Sequence, residues 1–540
     1  MNDVSSAGAA RMIGLLERAA NFVRASRSWR RRAIAFFAGV ATALALAPVY
    51  ALPLMALGFS VLIILLDGVA GSARPKRTAF FIGWLFGFGY FLAGVYWMAF
   101  SFFVQADEFA WMAPFAVTGL PAFLGLFTGA ATLISWLFWR EGWRRVFLFA
   151  ATWVVFEFLR GHVLTGLPWN LAGQALAGSA IGAQTAAWYG AYGLSLAAVF
   201  LSALPAAGLG ANAGPLKALS GVAAMFGGAV LLVAIGAVRL AQPEPAPEGV
   251  YFLRIVQPNI SQRDKIDPNL WAQNFGRQLD LSKGAIPADA RLFIIWPENG
   301  APLLNEAQTA LGVLSDELPK NAVLIAGAVR RTRDASGVER YYNSIAIVAE
   351  TPLGRRVVNY YDKHHLVPFG EYLPFYDFLN AAGLAQLTPY GDAGFAAGDG
   401  PRVMNAGGPS FAPLICYEVI FPGALYPKGE RPQWLLTVTN DAWFGDTSGP
   451  RQHLDMARLR SIESGLPMAR AANTGISAII DGKGRILARI ALYQAGRIEA
   501  ALPPALPRTF YDRYGDWIFW AMIAGFLGLS FRRGSRAARP

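Results

Sequence analysis

The chain is poor in cysteine, histidine and charge, and each shortage argues against a class of protein. Cysteine occurs once in 540 residues, at Cys416, so no intrachain disulfide framework can form. The 4 histidines show no metal-ligand spacing such as His-x-x-x-His, which argues against a metal site. Charged residues make up 15% of the chain and hydrophobic residues 54%, a balance too apolar for an ordinary soluble protein.

The net charge of +12 is distributed unevenly. Residues 248–512 contain 26 Lys+Arg and 26 Asp+Glu, so that region is neutral. The basic excess lies at the two ends and in short loops between apolar runs. This distribution argues against nucleic-acid binding and favours basic loops that set the orientation of a membrane protein.

Eight apolar runs predict a polytopic membrane protein, because most of them reach the roughly 20 residues that cross a hydrocarbon core. They lie near 33–50, 51–67, 78–102, 111–139, 146–164, 178–208, 219–240 and 514–531. The sequence therefore predicts a basic N-terminal segment, a membrane domain of about seven helices, a proline-rich linker, a second domain, a C-terminal membrane helix and a basic tail. Their respective bounds are 1–32, 33–240, 241–249, 250–510, 514–531 and 532–540.

Loop charge predicts the orientation of these helices. With a cytoplasmic N-terminus, the inside loops carry bases such as Arg74 and Arg144, and the outside loop at 103–110 has two acids and no base. Both termini are then cytoplasmic, and residues 250–510 lie on the opposite side of the membrane. The alternative is a signal peptide cleaved after Ala45-Leu46-Ala47, which would leave six spans and reverse the charge pattern.

Short β-rich runs alternate with helix-like stretches in the second domain, which predicts a layered α/β fold. The predicted strands lie near 252–257, 292–297, 322–329, 343–350, 410–417, 434–439 and 476–480. The predicted helices lie near 267–283, 302–318 and 451–464.

Three reactive side chains follow strand-like runs in this domain: Glu298, Lys363 and Cys416. Pro297 is expected to stop the first strand and present Glu298. A carboxylate base, an oxyanion-stabilising ammonium and a thiol nucleophile are the parts that thiol-based acyl chemistry requires. Simpler interpretations are a solvated loop glutamate for Glu298 and a small buried side chain for Cys416.

Further polar residues surround Lys363 in sequence. Glu371 offers a second carboxylate, as base, proton relay or orienter of the lysine. His364 and His365 allow a Cys–His alternative, which is not needed because Glu298 and Lys363 account for the chemistry.

The sequences around Glu298, Lys363 and Cys416 resemble the Glu-Lys-Cys triad of the nitrilase (carbon–nitrogen hydrolase) superfamily. They resemble the bacterial apolipoprotein N-acyltransferase family more closely still. The motifs that carry the resemblance are Lys-x-His-Leu-Val-Pro-Phe-Gly-Glu-Tyr-Leu-Pro from Lys363, Ile-Cys-Tyr-Glu from Ile415, Thr-Asn-Asp-Ala-Trp-Phe-Gly from Thr439, Gly-Pro-x-Gln-His from Gly449, Met-Ala-Arg-x-Arg from Met456 and Gly-Leu-Pro-Trp-Asn from Gly166. The resemblance covers nearly the whole chain after residue 32. It implies an αββα sandwich outside the cytoplasm, joined to about eight transmembrane helices.

The resemblance also implies roles for individual residues. Glu298 would be the general base, Lys363 the oxyanion donor and Cys416 the nucleophile, with no metal or cofactor. Supporting or substrate-binding roles would fall to Glu371, Tyr417, Glu418, Asn440, Trp443, Phe444 and Trp169. One departure is that the aromatic residue expected soon after Val-Gln-x-Asn does not occur until Trp271.

The implied activity is a ping-pong acyl transfer in the bacterial inner membrane. A fatty acyl chain would pass from a phosphatidylethanolamine-like phospholipid to Cys416, and then to the α-amine of a diacylglyceryl apolipoprotein. The competing hypotheses are a membrane-tethered amidase or nitrilase, a transporter with an outer binding domain, and a scaffold for lipoprotein assembly. Glu157 and Arg160 within the fifth span predict a buried ion contact with a structural role.

Overall fold

The computed structural model describes residues 2–209, 215–246, 249, 251–285, 290–302, 304, 307–333, 337–381 and 394–532. Most of the basic tail predicted at 532–540, and part of the linker predicted at 241–249, lie outside these residues. The described chain divides into two compact units. One contains residues 1–103, 107–242 and 509–540, and the other contains residues 104–106 and 243–508.

The bounds of the elements are as follows. The helices are α1 (Asn2–Ala25), α2 (Ser28–Ala43), α3 (Leu52–Asp67), α4 (Pro75–Val95), α5 (Ala106–Phe109), α6 (Ala113–Leu137), α7 (Trp143–His162), α8 (Ala180–Ala183), α9 (Ala186–Ala207), α10 (Pro215–Ala241), α11 (Gln262–Ile266), α12 (Trp271–Ser282), α13 (Gln308–Glu317), α14 (Tyr376–Ala381), α15 (Ser448–Ser464), α16 (Phe510–Tyr514) and α17 (Trp517–Phe531). The strands are β1 (Tyr251–Gln257), β2 (Arg291–Pro302), β3 (Ala322–Arg333), β4 (Glu339–Thr351), β5 (Gly354–Asp362), β6 (Phe411–Ile415), β7 (Trp434–Thr439), β8 (Met468–Ala472), β9 (Ser477–Ile480), β10 (Ile486–Ile490) and β11 (Gly496–Ala501).

The first unit is helical and rich in apolar segments. Among the described residues, 4 helical segments are long and apolar enough to cross a membrane: Pro75–Phe103, Ala106–Leu137, Ala186–Ala207 and Leu219–Ala241. Two shorter apolar helices are Leu52–Asp67 and Trp517–Phe531. The first two predicted runs, near 33–50 and 51–67, correspond to separate helices, because α2 ends at Ala43 and α3 begins at Leu52.

Helices α4 and α6 of this unit approach each other closely through small residues. A Cβ atom added at Gly83 would collide with Thr132 Oγ1, and one added at Gly87 would collide with Thr128 Oγ1. Because the helices are so close, two threonine hydroxyls of α6 donate hydrogen bonds to carbonyls of α4. Thr128 donates to the Gly83 carbonyl and Thr132 to the Ala79 carbonyl, both at 2.9 Å. Small residues and interhelical hydrogen bonds are the usual means of helix association in lipid.

The buried charges of α7 hold the segment that follows this helix. Glu157 Oε1 accepts a hydrogen bond from the Ala172 N–H at 3.1 Å, and Arg160 donates to the carbonyl of Trp169 at 2.7 Å. Each charge bonds to the backbone of the Gly-Leu-Pro-Trp-Asn segment or its C-terminal neighbours, so the direct ion contact predicted between Glu157 and Arg160 is not formed.

The second unit contains two sheets in which parallel and antiparallel pairings are mixed. One has the strand order β11-β1-β2-β3-β4-β5, and the other has the order β10-β9-β8-β7-β6. Alternate residues such as Ile295 and Ile325 from the first sheet pack with Leu436 and Val438 from the second in one buried core. The intervening residues of the first sheet, such as Ile294, pack on its other face.

Helices cover the outer faces of the two sheets. Leu279 of α12 and Leu311 and Leu314 of α13 pack on the outer face of the first sheet. On the second sheet Ala469 and Ala471 point into the shared core, so Arg470 points outward, where it meets α15. These layers confirm the predicted α/β fold of this region.

Candidate active site

The three residues proposed for chemistry lie at interruptions or ends of strands. Glu298 lies within β2, Lys363 follows the last residue of β5, and Cys416 follows the last residue of β6. Glu298 is 6% exposed and Lys363 is 1% exposed, whereas Cys416 is partly exposed. Lys363 Nζ lies 4.0 Å from Glu298 Oε1, and both groups influence the pKa of the Cys416 thiol.

The prediction that Pro297 ends its strand is wrong in one respect. Strand β2 continues to Pro302, although its pairing with β3 is interrupted between Trp296 and Ala301. Proline has no N–H to donate to a ladder, and this accounts for the local interruption. The strand therefore passes through the site, and Glu298 is presented at the break in pairing.

Lys363 is held between two carboxylates. Its Nζ lies 2.8 Å from Glu371 Oε2 and 4.0 Å from Glu298 Oε1. The Glu371 Oε2 also accepts a hydrogen bond from the Val367 N–H at 2.8 Å. The predicted supporting residue Glu371 thus orients the lysine, with a carboxylate that is itself fixed by backbone.

Asn343 joins the two carboxylates and was not identified from the sequence. Its Nδ2 donates to Glu298 Oε1 and to Glu371 Oε1, each at 2.7 Å, which uses both amide hydrogens. The one signal in the sequence is an asparagine inside a strand, β4, where asparagine is disfavoured.

Burial and charge shift the pKa values of the three groups in ways that suit proton transfer. Burial raises the pKa of Glu298 above its ordinary value, although Lys363 opposes the shift. Burial also raises the pKa of the Cys416 thiol, and Glu298 adds to the effect. For Lys363, burial favours the neutral amine, but Glu371 and Glu298 outweigh it and raise the pKa, so the ammonium stays charged.

Cys416 occupies a sharp bend between strand and helical turn. Strand β6 ends at Ile415, and residues Cys416–Ile420 form a short 3-10 turn. The φ angle of Cys416 is +48°, which is disfavoured for a residue with a side chain and persists only where surrounding contacts hold it.

Glu418 lies beneath the site and ties two of its strands together. Its Oε2 accepts from the Ile415 N–H at 2.7 Å, and its Oε1 accepts from the His364 N–H at 3.0 Å and from the Tyr361 hydroxyl at 2.8 Å. It therefore links the segment before Cys416 to the segment after Lys363. The adjacent Tyr417 ring packs edge-on against Phe421, with centroids 5.0 Å apart.

The adjacent histidines are engaged outside the triad. His364 Nδ1 lies 2.7 Å from Glu418 Oε1, and the His365 ring stacks on the Phe421 ring with the two centroids 3.9 Å apart. Within the described residues, no group of three or more His, Cys, Asp or Glu side chains could hold a metal ion.

A second lysine, Lys265, also belongs to the site and escaped sequence analysis. It lies on α11, and its Nζ donates to the carbonyl oxygen of Glu298 at 2.5 Å. Burial lowers the pKa of Lys265 to about 8, while Glu298 and Cys416 oppose the shift. Its approach to Glu298 depends on tertiary packing, and no sequence pattern marks it.

The other predicted supporting residues lie at different places. Asn440 is buried, donates to Gln262 Oε1 at 2.6 Å and accepts from Asn473 at 3.0 Å. The helical turn Asp441–Phe444 follows it and carries Trp443 and Phe444, which are partly buried. Trp169 belongs to the helical unit, where its ring packs on Trp97 with centroids 4.7 Å apart.

Two protein-family models match the chain. Residues 38–204 match the family model described as the apolipoprotein N-acyltransferase N-terminal domain, and residues 253–510 match the carbon–nitrogen hydrolase model. An apolipoprotein N-acyltransferase from Allorhizobium ampelinum is 41% identical over 520 residues, which cover 94% of this chain and 97% of that protein. One from Rhodopseudomonas palustris is 38% identical over 515 residues, which cover 93% and 95%.

Among solved structures, a CN-hydrolase superfamily protein from Xanthomonas campestris aligns with a TM-score of 0.34 and 19% identity, covering 52% of this chain and 98% of that protein. Each unit contains most of one matched region, and the sequence identities extend over nearly the whole chain. The chain therefore belongs to the apolipoprotein N-acyltransferase family, with a carbon–nitrogen hydrolase domain as its second unit.

Proposed function

We propose that this protein moves a fatty acyl chain from a phospholipid to the α-amine of the lipidated N-terminal cysteine of lipoproteins, through a thioester on Cys416. The observation that carries the proposal is the charged Lys363 held between Glu298 and Glu371 beside the bend at Cys416. A thiol, a base and a fixed cation are together sufficient for acyl transfer through a covalent intermediate.

In the first half-reaction, Glu298 takes the thiol proton as Cys416 attacks the ester carbonyl of the donor. Because the thiol pKa is raised, the resting group is the neutral thiol, and the proton leaves as the sulfur attacks. Lys363 and the backbone N–H of Tyr417 stabilise the oxyanion of the tetrahedral intermediate. A carbon–sulfur bond forms, the ester carbon–oxygen bond breaks, and Glu298 returns the proton to the departing lysophospholipid oxygen.

In the second half-reaction, the acceptor amine attacks the thioester. A carbon–nitrogen bond forms and the carbon–sulfur bond breaks, while Glu298 takes a proton from the amine and returns it to the sulfur. The raised pKa of Glu298 suits both half-reactions. It favours the protonated form, and that is the form that gives a proton to the leaving group. The enzyme ends each cycle with a neutral thiol and a carboxylate.

The membrane unit fits substrates that carry acyl chains. Moving such a chain from lipid into water costs about 0.8 kcal/mol for each CH₂ group, so catalysis at the bilayer is favoured over catalysis in solution. The proposal includes about eight spanning helices in the inner membrane, cytoplasmic termini and a periplasmic catalytic domain at 250–510, supported by the loop charges. The proposed donor is a phosphatidylethanolamine-like phospholipid.

The deciding experiment is intact-mass analysis of the purified protein after incubation with phospholipid micelles and no acceptor. Wild type should gain the mass of one fatty acyl chain and release lysophospholipid, and hydroxylamine should remove the adduct. Cys416→Ala should show neither product. Parallel incubations with phosphatidylethanolamine and phosphatidylglycerol compare the two headgroups.

An unmodified wild-type protein with no lysophospholipid released would contradict the acyl-enzyme. Hydrolysis of small amides would then support the tethered amidase. Full biological function of Cys416→Ala would instead favour the transporter or the scaffold, neither of which needs the thiol.

A further inference from the structure

A buried charged cluster lies directly behind the Cys416 bend. It consists of Asp441 in the turn after β7, His453 on α15 and Arg470 on β8, each at most 1% exposed. Arg470 donates to Asp441 Oδ2 at 2.7 Å, and His453 Nδ1 lies 2.9 Å from Asp441 Oδ1. Thr439 donates to the same Oδ1 at 2.9 Å, so the carboxylate is held on both oxygens.

The cluster keeps its central carboxylate ionised. Burial alone would favour the protonated acid, but Arg470 and His453 lower the pKa of Asp441 to about 2. The ionised Asp441 holds the Arg470 guanidinium, which also contacts His453 Nδ1. With the ring held on that side, the direction of the opposite nitrogen is determined.

That opposite nitrogen reaches the backbone of the nucleophile. His453 Nε2 lies 3.2 Å from the carbonyl oxygen of Cys416. A carbonyl oxygen only accepts hydrogen bonds, so Nε2 carries a proton when this bond forms. Burial and the charge of Arg470 lower the pKa of His453, so the ring is neutral, and in its Nε2-protonated form Nδ1 accepts a hydrogen bond from Arg470 at 3.2 Å.

Because the peptide bond is planar, this contact also fixes the direction of the next N–H in the chain. The Cys416 carbonyl and the Tyr417 N–H belong to one planar trans peptide, in which the two groups point in opposite directions. A carbonyl held toward His453 directs the Tyr417 N–H away from the buried cluster. The positive φ of Cys416 makes such support necessary, because an unsupported residue would relax out of that conformation.

We propose that His453 is a positioning residue of the acyl transfer, which holds the Cys416–Tyr417 peptide so that the Tyr417 N–H meets the oxyanion of the tetrahedral intermediate. Asp441 and Arg470 hold His453 in turn. The inference rests on the proposed thioester chemistry, in which this N–H acts together with Lys363.

The test compares two reactions of the same thiol in the purified full-length protein. Acyl-enzyme formation from phospholipid passes through an oxyanion, whereas alkylation by iodoacetamide displaces iodide at a saturated carbon and forms none. His453→Leu removes the Nε2 donor, and His453→Gln replaces it with an amide donor. His162→Leu is the control, because it makes the same histidine-to-leucine change on α7 of the helical unit. Since a leucine beside Asp441 and Arg470 endangers folding, His453→Asn, which is too short to reach the carbonyl, is measured as well.

His453→Leu and His453→Asn should slow acyl-enzyme formation by about 100-fold, which is typical for loss of one oxyanion donor. Alkylation should stay within about threefold of wild type, because it needs no oxyanion donor. His453→Gln should recover at least about tenfold of the lost acylation rate, since its amide donates again, and His162→Leu should match wild type.

Three results would overturn the inference. Acylation that stays within about threefold of wild type in both variants would show that the N–H needs no such support. Acylation and alkylation that fall together would show a general structural role of the cluster. A wild-type protein that is alkylated but never acylated would defeat the proposed function, and the role of His453 would fall with it.

Discussion

At the scale of single residues, burial and neighbouring charges set the pKa values of the reactive groups. Both Glu298 and Cys416 have raised pKa values because burial disfavours their charged forms. Lys363 remains charged in the same surroundings because two carboxylates face it. The result is a neutral nucleophile beside a base and a permanent cation, which is an arrangement suited to general-base catalysis.

The raised pKa of Glu298 predicts how acylation depends on pH. Glu298 is a base only as the carboxylate, so acyl-enzyme formation should be lost as pH falls through its pKa. Because that pKa is raised above 4.5, the loss should occur at a higher pH than for an exposed glutamate. Single-turnover rates of wild type across pH measure this acidic limb.

Glu298→Gln should slow acylation by about 10² to 10⁴-fold, the usual contribution of a general base, and should abolish the acidic limb. Glu430→Gln, at an exposed glutamate, is the matched control and should keep the wild-type profile. An acidic limb that persists unchanged in Glu298→Gln would assign the titration to another group.

Some contacts of single residues could not be recognised from the local sequence. Asn343 and Lys265 touch Glu298 through its side chain and its carbonyl respectively, yet neither lies in a motif around the triad. Glu418 follows Cys416 closely in sequence, but its function of tying Ile415 to His364 is visible only when β5 and β6 are in place.

At the scale of elements, the predicted strands succeed where the pattern is apolar and fail where it is mixed. Strand β1 and the apolar parts of β2 and β7 were predicted from short runs rich in Ile, Val, Leu and aromatic residues. Strands β8 and β11, with sequences Met-Ala-Arg-Ala-Ala and Gly-Arg-Ile-Glu-Ala-Ala, were missed because alanine, glycine and charge are disfavoured in strands. Strand β5 was expected only as a strand-like run before Lys363, without bounds, and β10 has no counterpart among the predicted strands.

The close packing of α4 and α6 predicts a strong effect of a small volume change. Gly87→Val should destabilise the helical unit by about 1–3 kcal/mol or more, because the added side chain meets Thr128 across the interface. Thermal unfolding of the detergent-solubilised protein gives the measurement. Gly119→Val is the matched control on α6, where an added Cβ meets no atom within 4 Å.

If both glycine variants unfold at the wild-type temperature, the close approach of the two helices contributes little to stability. Equal destabilisation of both would attribute the effect to valine in a helix and not to the interface. Only a selective effect of Gly87→Val supports the packing described here.

At the scale of the whole molecule, the single cysteine makes membrane topology directly measurable. Cys416→Ala leaves no thiol, so one cysteine can be introduced at a time. Ala73→Cys lies in the exposed loop between α3 and α4, and Asp107→Cys lies at an exposed position of the short helix α5, before α6. A membrane-impermeant maleimide applied to cells with a permeabilised outer membrane should label Asp107→Cys and spare Ala73→Cys.

After the inner membrane is also permeabilised, both introduced cysteines should react, which controls for exposure of each site. The reverse pattern in sealed cells would place the N-terminus outside the cytoplasm and remove the support that loop charge gives to a periplasmic catalytic domain. Labelling of both sites in sealed cells would contradict a span between them.

The sequence alone determined the kind of protein: apolar runs that predict membrane helices, an α/β domain, and a glutamate, a lysine and a cysteine in motifs of one enzyme family. These properties are local, because apolar length, strand patterning and short motifs are all read within a few residues. The layered fold and the family are confirmed, while the individual catalytic roles and the number of spans stay predictions.

Only the tertiary structure decided how the reactive groups are held. Asn343, Lys265 and His453 lie 45, 33 and 37 residues from the groups that they contact. Hydrogen bonds act over about 3 Å, so these contacts depend on strand register and on helix packing between segments distant in the chain. That dependence is why the sequence identifies the nucleophile and the fold alone shows what holds it in its bend.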